Sequence, residues 1–304
     1  MGTPESAVPS LRRLVEDGHE ILGVWTQPDK PSGRGKKLHE SPIKQFALAH
    51  NLPVYQPQKI KNDEAKELFV SHKADVAIVV AYGKILPQEF LDAPKYGCVN
   101  VHFSLLPKYR GAAPVNWAIV NGEAQTGVTT MRIVPELDAG PILLQRPTTI
   151  DPTETAPQVL FRLADIGAKL LRETLHNFDQ IVAKDQIDAD ATFAPILKRE
   201  DGLIDWSMDA YAIALRVRGF QPWPNAFTHF RSQRLIVWTA APEWIEQLRF
   251  NPGQVLEAAR DRLLIACGDG TALRLDEVQL ENSRRMTARD FINGFRVKAG
   301  DVFG

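Results

Sequence analysis

Between Ile21 and Val134, short β-rich runs alternate with helical ones, the pattern of crossover units that feed a parallel sheet. The runs are EILGVWT (20–26), ADVAIVVAY (74–82), CVNVHF (98–103) and GVTTMRIV (127–134). Between them, Ser41 followed by Pro42 reads as an N-cap with proline at the first helical position, and Asn62 reads as the cap of NDEAKELFVSHK. After Asp151, the stretch TAPQVLFRLADIGAKLLRETLHNF puts Val159, Leu163, Ile166 and Leu170 on one helical face. A long helix capped by Thr155 is therefore expected to pack across an open α/β sheet.

The chain has 304 residues, and single cores stop growing near roughly 250 to 300 residues, so two domains are expected. Periodicity fades and polar residues collect over VAKDQIDADATFAPILKRE, which places a linker at 182–200 between a first domain, 1–181, and a second, 201–304. The second domain opens on an expected helix from Ser207 to Val217. It then turns to β in AFTHFRSQRLIVWTA and RLLIACGDGTALRLDEVQL, each read as two strands around a turn, with Gly268-Asp269-Gly270 as a direct hairpin signal. Several short strands in so short a span suggest a small antiparallel barrel of the OB type.

Lys plus Arg number 36 against 37 Asp plus Glu, so the molecule as a whole has no basic excess with which to attract a phosphate backbone, and any nucleic-acid affinity must be local. Cys98 and Cys267 lie far apart without metal-ligand spacing, which argues against a disulfide framework or a zinc cluster and fits a reducing, cytoplasmic setting. The longest apolar runs are far shorter than the ~18 residues that span a bilayer.

Side chains alternate along a strand, so in CVNVHF Asn100 and His102 share one face while Val99, Val101 and Phe103 share the other. The polar pair sits at the strand's carboxyl end, where open α/β sheets bind ligands. A carboxamide beside an imidazole suits polarisation of a carbonyl and stabilisation of the oxyanion formed on nucleophilic addition, which is the chemistry of acyl or formyl transfer. Asp138, in PELDAGP, follows the strand ending at Val134 and is positioned to orient the imidazole if the strands are neighbours. On residues alone, a solvated loop carboxylate is the competing reading.

The string NVHFSLLPKYRGAAP, followed by TGVT and LDAGP, resembles the 10-formyltetrahydrofolate-dependent formyltransferase family. The resemblance includes the opening MGTPE, the loop QPDKPSGRGKKL, VVAYGKILP, DG-x-IDW, RGFQPWPNA and the terminal FINGF-x-V-x-x-GD, so it covers essentially the whole chain. It implies a Rossmann-like formyltransferase fold and a catalytic trio of Asn100, His102 and Asp138, with Asp138 fixing His102 and favouring its cationic form. It also implies 10-formyltetrahydrofolate as formyl donor, lined by Ser104, Leu105, Leu106 and Pro107 in a turn that exposes backbone groups, and no metal. A purely structural turn is the alternative for those four.

The implied acceptor is the α-amine of initiator methionyl-tRNA, and the implied form a monomer. Lys30, Arg34, Lys36 and Lys37 stand against Asp29 alone in the loop 27–38, a local positive feature suited to acceptor-stem phosphates. The resemblance adds Arg216, Arg218, Arg284, Arg285 and Arg289 as second-domain candidates. Two other readings stay open: a formyltransferase acting on an amino-sugar nucleotide, and an RNA-binding relative without activity. One departure stands out. The family usually has a short apolar strand just before MGTP, and Phe is common where Ser6 stands here. Either a strand lies upstream of Met1 or the fold is weakened, because a sheet lacking a middle strand leaves unpaired backbone groups at roughly 1 to 3 kcal/mol each.

Overall fold

The computed structural model describes residues 1–32, 37–245 and 250–304. Its contacts divide the chain into two compact units. The first comprises Met1–Pro114, Gln125–Thr149 and Leu160–Ala194, and the second Val115–Ala124, Ile150–Val159 and Pro195–Gly304.

In the first unit, α1 (Val8–Glu16) precedes β1 (Val24–Trp25), and β2 (Lys30–Ser32) pairs antiparallel with β3 (Lys37–His39). Then come α2 (Pro42–Ala49), β4 (Val54–Tyr55), α3 (Asp63–Ser71), β5 (Ala77–Val79), α4 (Gln88–Asp92) and β6 (Cys98–His102). Ser41 caps α2 as expected, its hydroxyl accepting from Lys44 N at 3.3 Å with Pro42 next in line. Asn62 precedes α3 but makes no side-chain cap bond; Asp63 and Glu64 in the first turn complement the helix's positive end instead.

Strand β1 pairs parallel with β4, and β5 pairs parallel with β6. Beyond β7 (Arg110–Gly111) and α5 (Pro114–Val120), β8 (Gln125–Arg132) returns antiparallel to β6, then forms a hairpin with β9 (Ile142–Thr149). The run at 127–134 is thus a strand, but not a parallel one: periodicity marks a strand without giving its direction. Strand β9 was not among the expected runs. It is the edge of the order β5-β6-β8-β9, half-exposed and interrupted by Pro147, which only an edge tolerates well.

Helix α6 (Ala156–His176) is the long helix expected after Asp151. Leu163 and Leu170 are buried, and Gly167 lies so close to β6 that an added Cβ would stand 2.9 Å from Val101 Cγ1. Thr155 engages Gln158 through N and Oγ1, both at 2.8 Å from Oε1. A buried Thr130–Thr174 hydroxyl contact at 2.8 Å ties α6 to β8. Strand β10 (Phe193–Ala194) closes the unit by pairing parallel with β7.

In the second unit, α7 (Ala210–Gly219) starts three residues later than expected, because Asp209 caps it through Ala212 N at 2.9 Å. There follow β11 (Phe227–Phe230), β12 (Gln233–Trp244), β13 (Val255–Ala259), β14 (Arg262–Ala266), β15 (Thr271–Leu280), β16 (Met286–Thr287) and α8 (Ala288–Phe295). Both expected hairpins form; Arg231 and Ser232 take positive φ in the first turn, and Asp269 and Gly270 in the second. The antiparallel order is β11-β12-β15-β14-β13 with β16 on β15, and Leu235, Leu263, Leu275 and Phe291 are fully buried beneath it. Among the described residues this ladder is an open sheet and not a closed barrel.

Candidate active site

Strand β6 delivers the two polar side chains. Its neighbours Val99 and Val101 are at most 2% exposed, and His102 is only 6% exposed. The register sets Asn100 beside Val79 of β5 and Met131 of β8, and His102 beside Thr129. Two residues earlier, Cys98 donates its thiol to Phe90 O, and burial pushes its pKa up to about 12, so it stays a protonated core residue and not a nucleophile.

Asp138 reaches this strand end from the loop between β8 and β9. Asn100 Nδ2 stands 3.4 Å from Asp138 Oδ1, and His102 Nδ1 stands 3.7 Å from Asp138 Oδ2. The structure therefore brings the three residues together. The second distance is longer than a hydrogen bond, and the ring is anchored from its other side: His102 Nε2 lies 2.9 Å from the Tyr109 carbonyl oxygen. An oxygen there requires a proton on Nε2, which leaves Nδ1 turned toward Asp138. The carboxylate is held in turn by Gly111 N, which donates to Oδ2 at 2.9 Å.

The Asp138 loop is shaped by residues whose importance the sequence did not signal. Asp138 itself takes a left-handed backbone, φ 47°, which an Asp adopts more readily than most side chains. Gln186 Nε2 donates at 2.8 Å to both Asp138 O and Gly140 O, while its Oε1 accepts from Arg110 Nε at 2.9 Å. Arg110, 5% exposed, also reaches Asp188 at 2.9 Å. Gln186 and Asp188 lie in the stretch expected to be a linker; nothing in a polar segment distinguishes a Gln that will clamp a loop 46 residues away. Gly140 is required sterically, since a Cβ would fall 1.9 Å from Arg132 O.

The turn after β6 departs from expectation. Ser104 is fully buried, its hydroxyl donating to Lys108 O at 2.6 Å and its carbonyl accepting from Thr129 Oγ1 at 2.7 Å. Leu106, 3% exposed, donates its N–H to Thr129 Oγ1, and its carbonyl accepts from Gln145 Nε2. These backbone groups point inward because Thr129 and Gln145 satisfy them. Leu105 and Pro107 are half-buried and carry the turn's remaining apolar surface.

Of the basic loop, Arg34 and Lys36 lie outside the described residues, as does the side chain of Lys37. Lys30 is exposed and pairs in register with His39. The loop's acid is already engaged: Asp29 meets Lys44 at 2.6 Å and Gln56 at 2.7 Å, and the Lys44 bond holds its carboxyl below the usual range. In the second unit, Arg216 and Arg218 donate to carbonyls of Asp201 and Glu154, and Arg285 pairs with Glu277 over the Trp238 ring. Arg284 and Arg289 are exposed. No group of three or more His, Cys, Asp or Glu suited to a metal occurs among the described residues.

Comparison with known proteins gives the family. Residues 1–175 match the formyl transferase model and residues 196–296 the formyl transferase C-terminal domain. The chain is 50% identical over 306 residues to a methionyl-tRNA formyltransferase of Koribacter versatilis, covering 100% of this chain and 97% of that protein. It is 46% identical over 306 residues to one of Acetivibrio thermocellus, covering 100% and 98%. Among solved structures, the sugar 3N-formyl transferase WlaRD superposes with a TM-score of 0.66 at 20% identity, covering 93% of this chain and 97% of that one. HypX from Aquifex aeolicus, solved with tetrahydrofolic acid, superposes with a TM-score of 0.57 at 21% identity over 82% of this chain and 44% of that one. With Asn100, His102 and Asp138 gathered at one strand end and both domain models matched in order, the chain belongs to the formyl transferase family.

Proposed function

We propose that this protein transfers the formyl group of 10-formyltetrahydrofolate to the α-amine of initiator methionyl-tRNA, as a methionyl-tRNA formyltransferase acting in the cytoplasm at the start of protein synthesis. The observation that carries this reading is the meeting of Asn100, His102 and Asp138 at the carboxyl end of β6, in a chain 43–50% identical over its length to proteins of that name. Leu105 and Pro107 offer a flat pterin apolar surface beside the trio, which fits the donor; Ser104 and Leu106 support the turn from within. Bound there, the folate supplies an activated formyl carbon.

Asn100 Nδ2 donates to the formyl oxygen as negative charge develops on it. His102 keeps its Nε2 proton on the Tyr109 carbonyl and presents Nδ1 to the same centre, donating to that oxygen when protonated. Asp138, anchored by Gly111 N, holds the negative side of the site and accepts the amine's proton through water. An α-amine with reference pKa ~7.7 to 8.0 is partly neutral near pH 7, so modest base assistance suffices.

The basic loop with Lys30, Arg34, Lys36 and Lys37 contacts acceptor-stem phosphates. In the second unit, an OB-like barrel is supported by the C-terminal residues: Phe303 bridges Phe230 of β11, and Val302 bridges Gln254 just before β13, so one segment reaches both edges of the sheet. We take the protein as a monomer, with a catalytic domain over 1–181, a linker over 182–200 and a tRNA-binding domain over 201–304.

The test supplies 10-formyltetrahydrofolate with charged initiator tRNA, or with an amino-sugar nucleotide. Formylation of the tRNA alone is expected; formylation of the sugar alone, or of neither, would refute the assignment. Asp138→Asn should cut turnover at least a hundred-fold with folate affinity little changed, and unchanged turnover would remove Asp138 from the mechanism.

A further inference from the structure

Thr192 lies in the stretch that reads as a linker, yet its three polar groups all go to the turn after the catalytic strand β6. Thr192 N donates to Pro107 O at 3.3 Å. Its hydroxyl accepts from Tyr109 N at 2.9 Å, and its carbonyl accepts from Arg110 N at 2.9 Å. The chain then continues into β10, where Ala194 O accepts from Ala112 N at 2.9 Å.

A peptide group is planar, with its N–H and C=O on opposite sides, and in the three peptides from Pro107 to Arg110 both sides are engaged. In the first, Pro107 O meets Thr192 N while Lys108 N donates to Leu105 O at 3.1 Å. In the second, Lys108 O accepts from Ser104 Oγ at 2.6 Å while Tyr109 N donates to Thr192 Oγ1. In the third, Arg110 N donates to Thr192 O while Tyr109 O faces His102 Nε2 at 2.9 Å. Thr192 therefore holds one side of each peptide, and the far side of the third is the carbonyl that anchors the His102 ring.

Any residue at this position supplies an N–H and a C=O, but only a hydroxyl supplies the acceptor for Tyr109 N. The N–H groups of Tyr109 and Arg110 both turn toward one residue, which successive N–H groups do where the chain leaves the extended form. Tyr109 accordingly takes φ 63°, a left-handed backbone that a side chain of this bulk adopts only where surrounding bonds enforce it. With Tyr109 only 7% exposed, a different acceptor for its N–H requires the backbone to move. Without the hydroxyl, Tyr109 relaxes toward negative φ and its carbonyl swings away from His102. The imidazole then loses the acceptor that keeps its proton on Nε2.

We propose that Thr192 is a positioning residue. Its hydroxyl holds Tyr109 in the left-handed form that aims the Tyr109 carbonyl at His102 Nε2, and so sets the tautomer of the ring. Nδ1 is thereby left as the atom that, in the role proposed above for His102, is protonated to face the formyl oxygen. Thr192 is itself exposed, so changes to its side chain leave the core intact.

The test compares Thr192→Val, which removes the hydroxyl and keeps the shape, with Thr192→Ala and with Thr192→Ser, which keeps the hydroxyl. Each protein carries nitrogen-15-labelled histidine, and the His102 ring signals, identified by their loss in His102→Asn, are read at about pH 9, where an imidazole is ordinarily neutral. Formylation of charged initiator tRNA gives kcat and KM in parallel. The native protein and Thr192→Ser should show the Nε2-protonated tautomer alone. Thr192→Val and Thr192→Ala should show both tautomers, with kcat lowered at least about five-fold and KM for 10-formyltetrahydrofolate changed less than about two-fold. Ring signals unchanged in both Thr192→Val and Thr192→Ala overturn the proposal, as does a mixture of tautomers with full kcat, or a loss that Thr192→Ser shares. A native protein that follows the expected tautomer pattern but formylates no tRNA refutes the function proposed above and leaves the hold of Thr192 on His102 standing.

Discussion

Replacing Gln186 with Ala tests whether the Asp138 loop is held by a single side chain. The substitution removes two hydrogen bonds to Asp138 O and Gly140 O, both 2.8 Å, and one from Arg110 Nε at 2.9 Å. Neutral bonds contribute ~0.5 to 1.5 kcal/mol each and a bond to a charged group ~1.5 to 3 kcal/mol. Gln186 is half-buried, so water recovers part of this, and a net loss of about 2 to 4 kcal/mol is expected. Arg110 retains Asp188, but that partner is 85% exposed. Released, the left-handed Asp138 backbone relaxes and the carboxylate shifts relative to Asn100 and His102, and a misplacement of ~1 Å costs on the order of a hundred-fold in rate.

Urea unfolding gives the stability change, and steady-state formylation gives kcat and KM. Gln186→Glu separates the two effects. Its carboxylate satisfies Arg110 and keeps much of the stability, yet it sets an acceptor against the Asp138 and Gly140 carbonyls, so turnover should stay low. A Gln186→Ala protein with unchanged midpoint and turnover, or a fully active Gln186→Glu protein, would refute the clamp.

Gly140→Ala drives a Cβ to 1.9 Å from Arg132 O and must move the loop, so loss of most activity with a lowered melting temperature is expected. For the chain that begins at Met1, the amine's pKa falls from 8.0 to about 6 on folding, so between those pH values the unfolded state binds more protons than the folded one. Stability should therefore rise by roughly 2 kcal/mol from pH 6 to pH 8, and the effect should vanish when the amine is acylated; a flat profile in the free chain would contradict the burial of this charge. Lys30→Ala should flatten the salt dependence of tRNA binding by about one unit of slope, and Arg34→Ala with Lys36→Ala by about two. An unaltered slope would place these residues away from phosphate.

Local rules account for much of what was legible in the sequence. Period-two alternation identified β6 and the face shared by Asn100 and His102; helical periodicity identified α6; turn residues identified the hairpins around 231–232 and 268–270. Each depends on residues within one turn or one strand of each other, so the chain carries the signal without reference to the rest of the fold. What only tertiary structure decided is long-range. The direction of β8, the edge position of β9, the inward turn at Ser104 to Leu106, and the service of Gln186 and the Tyr109 carbonyl to the trio all depend on partners remote in sequence. A hydrogen-bond partner leaves no pattern in the residues beside it: a Gln in a polar run looks the same whether it faces water or two buried carbonyls, until the fold brings those carbonyls to it.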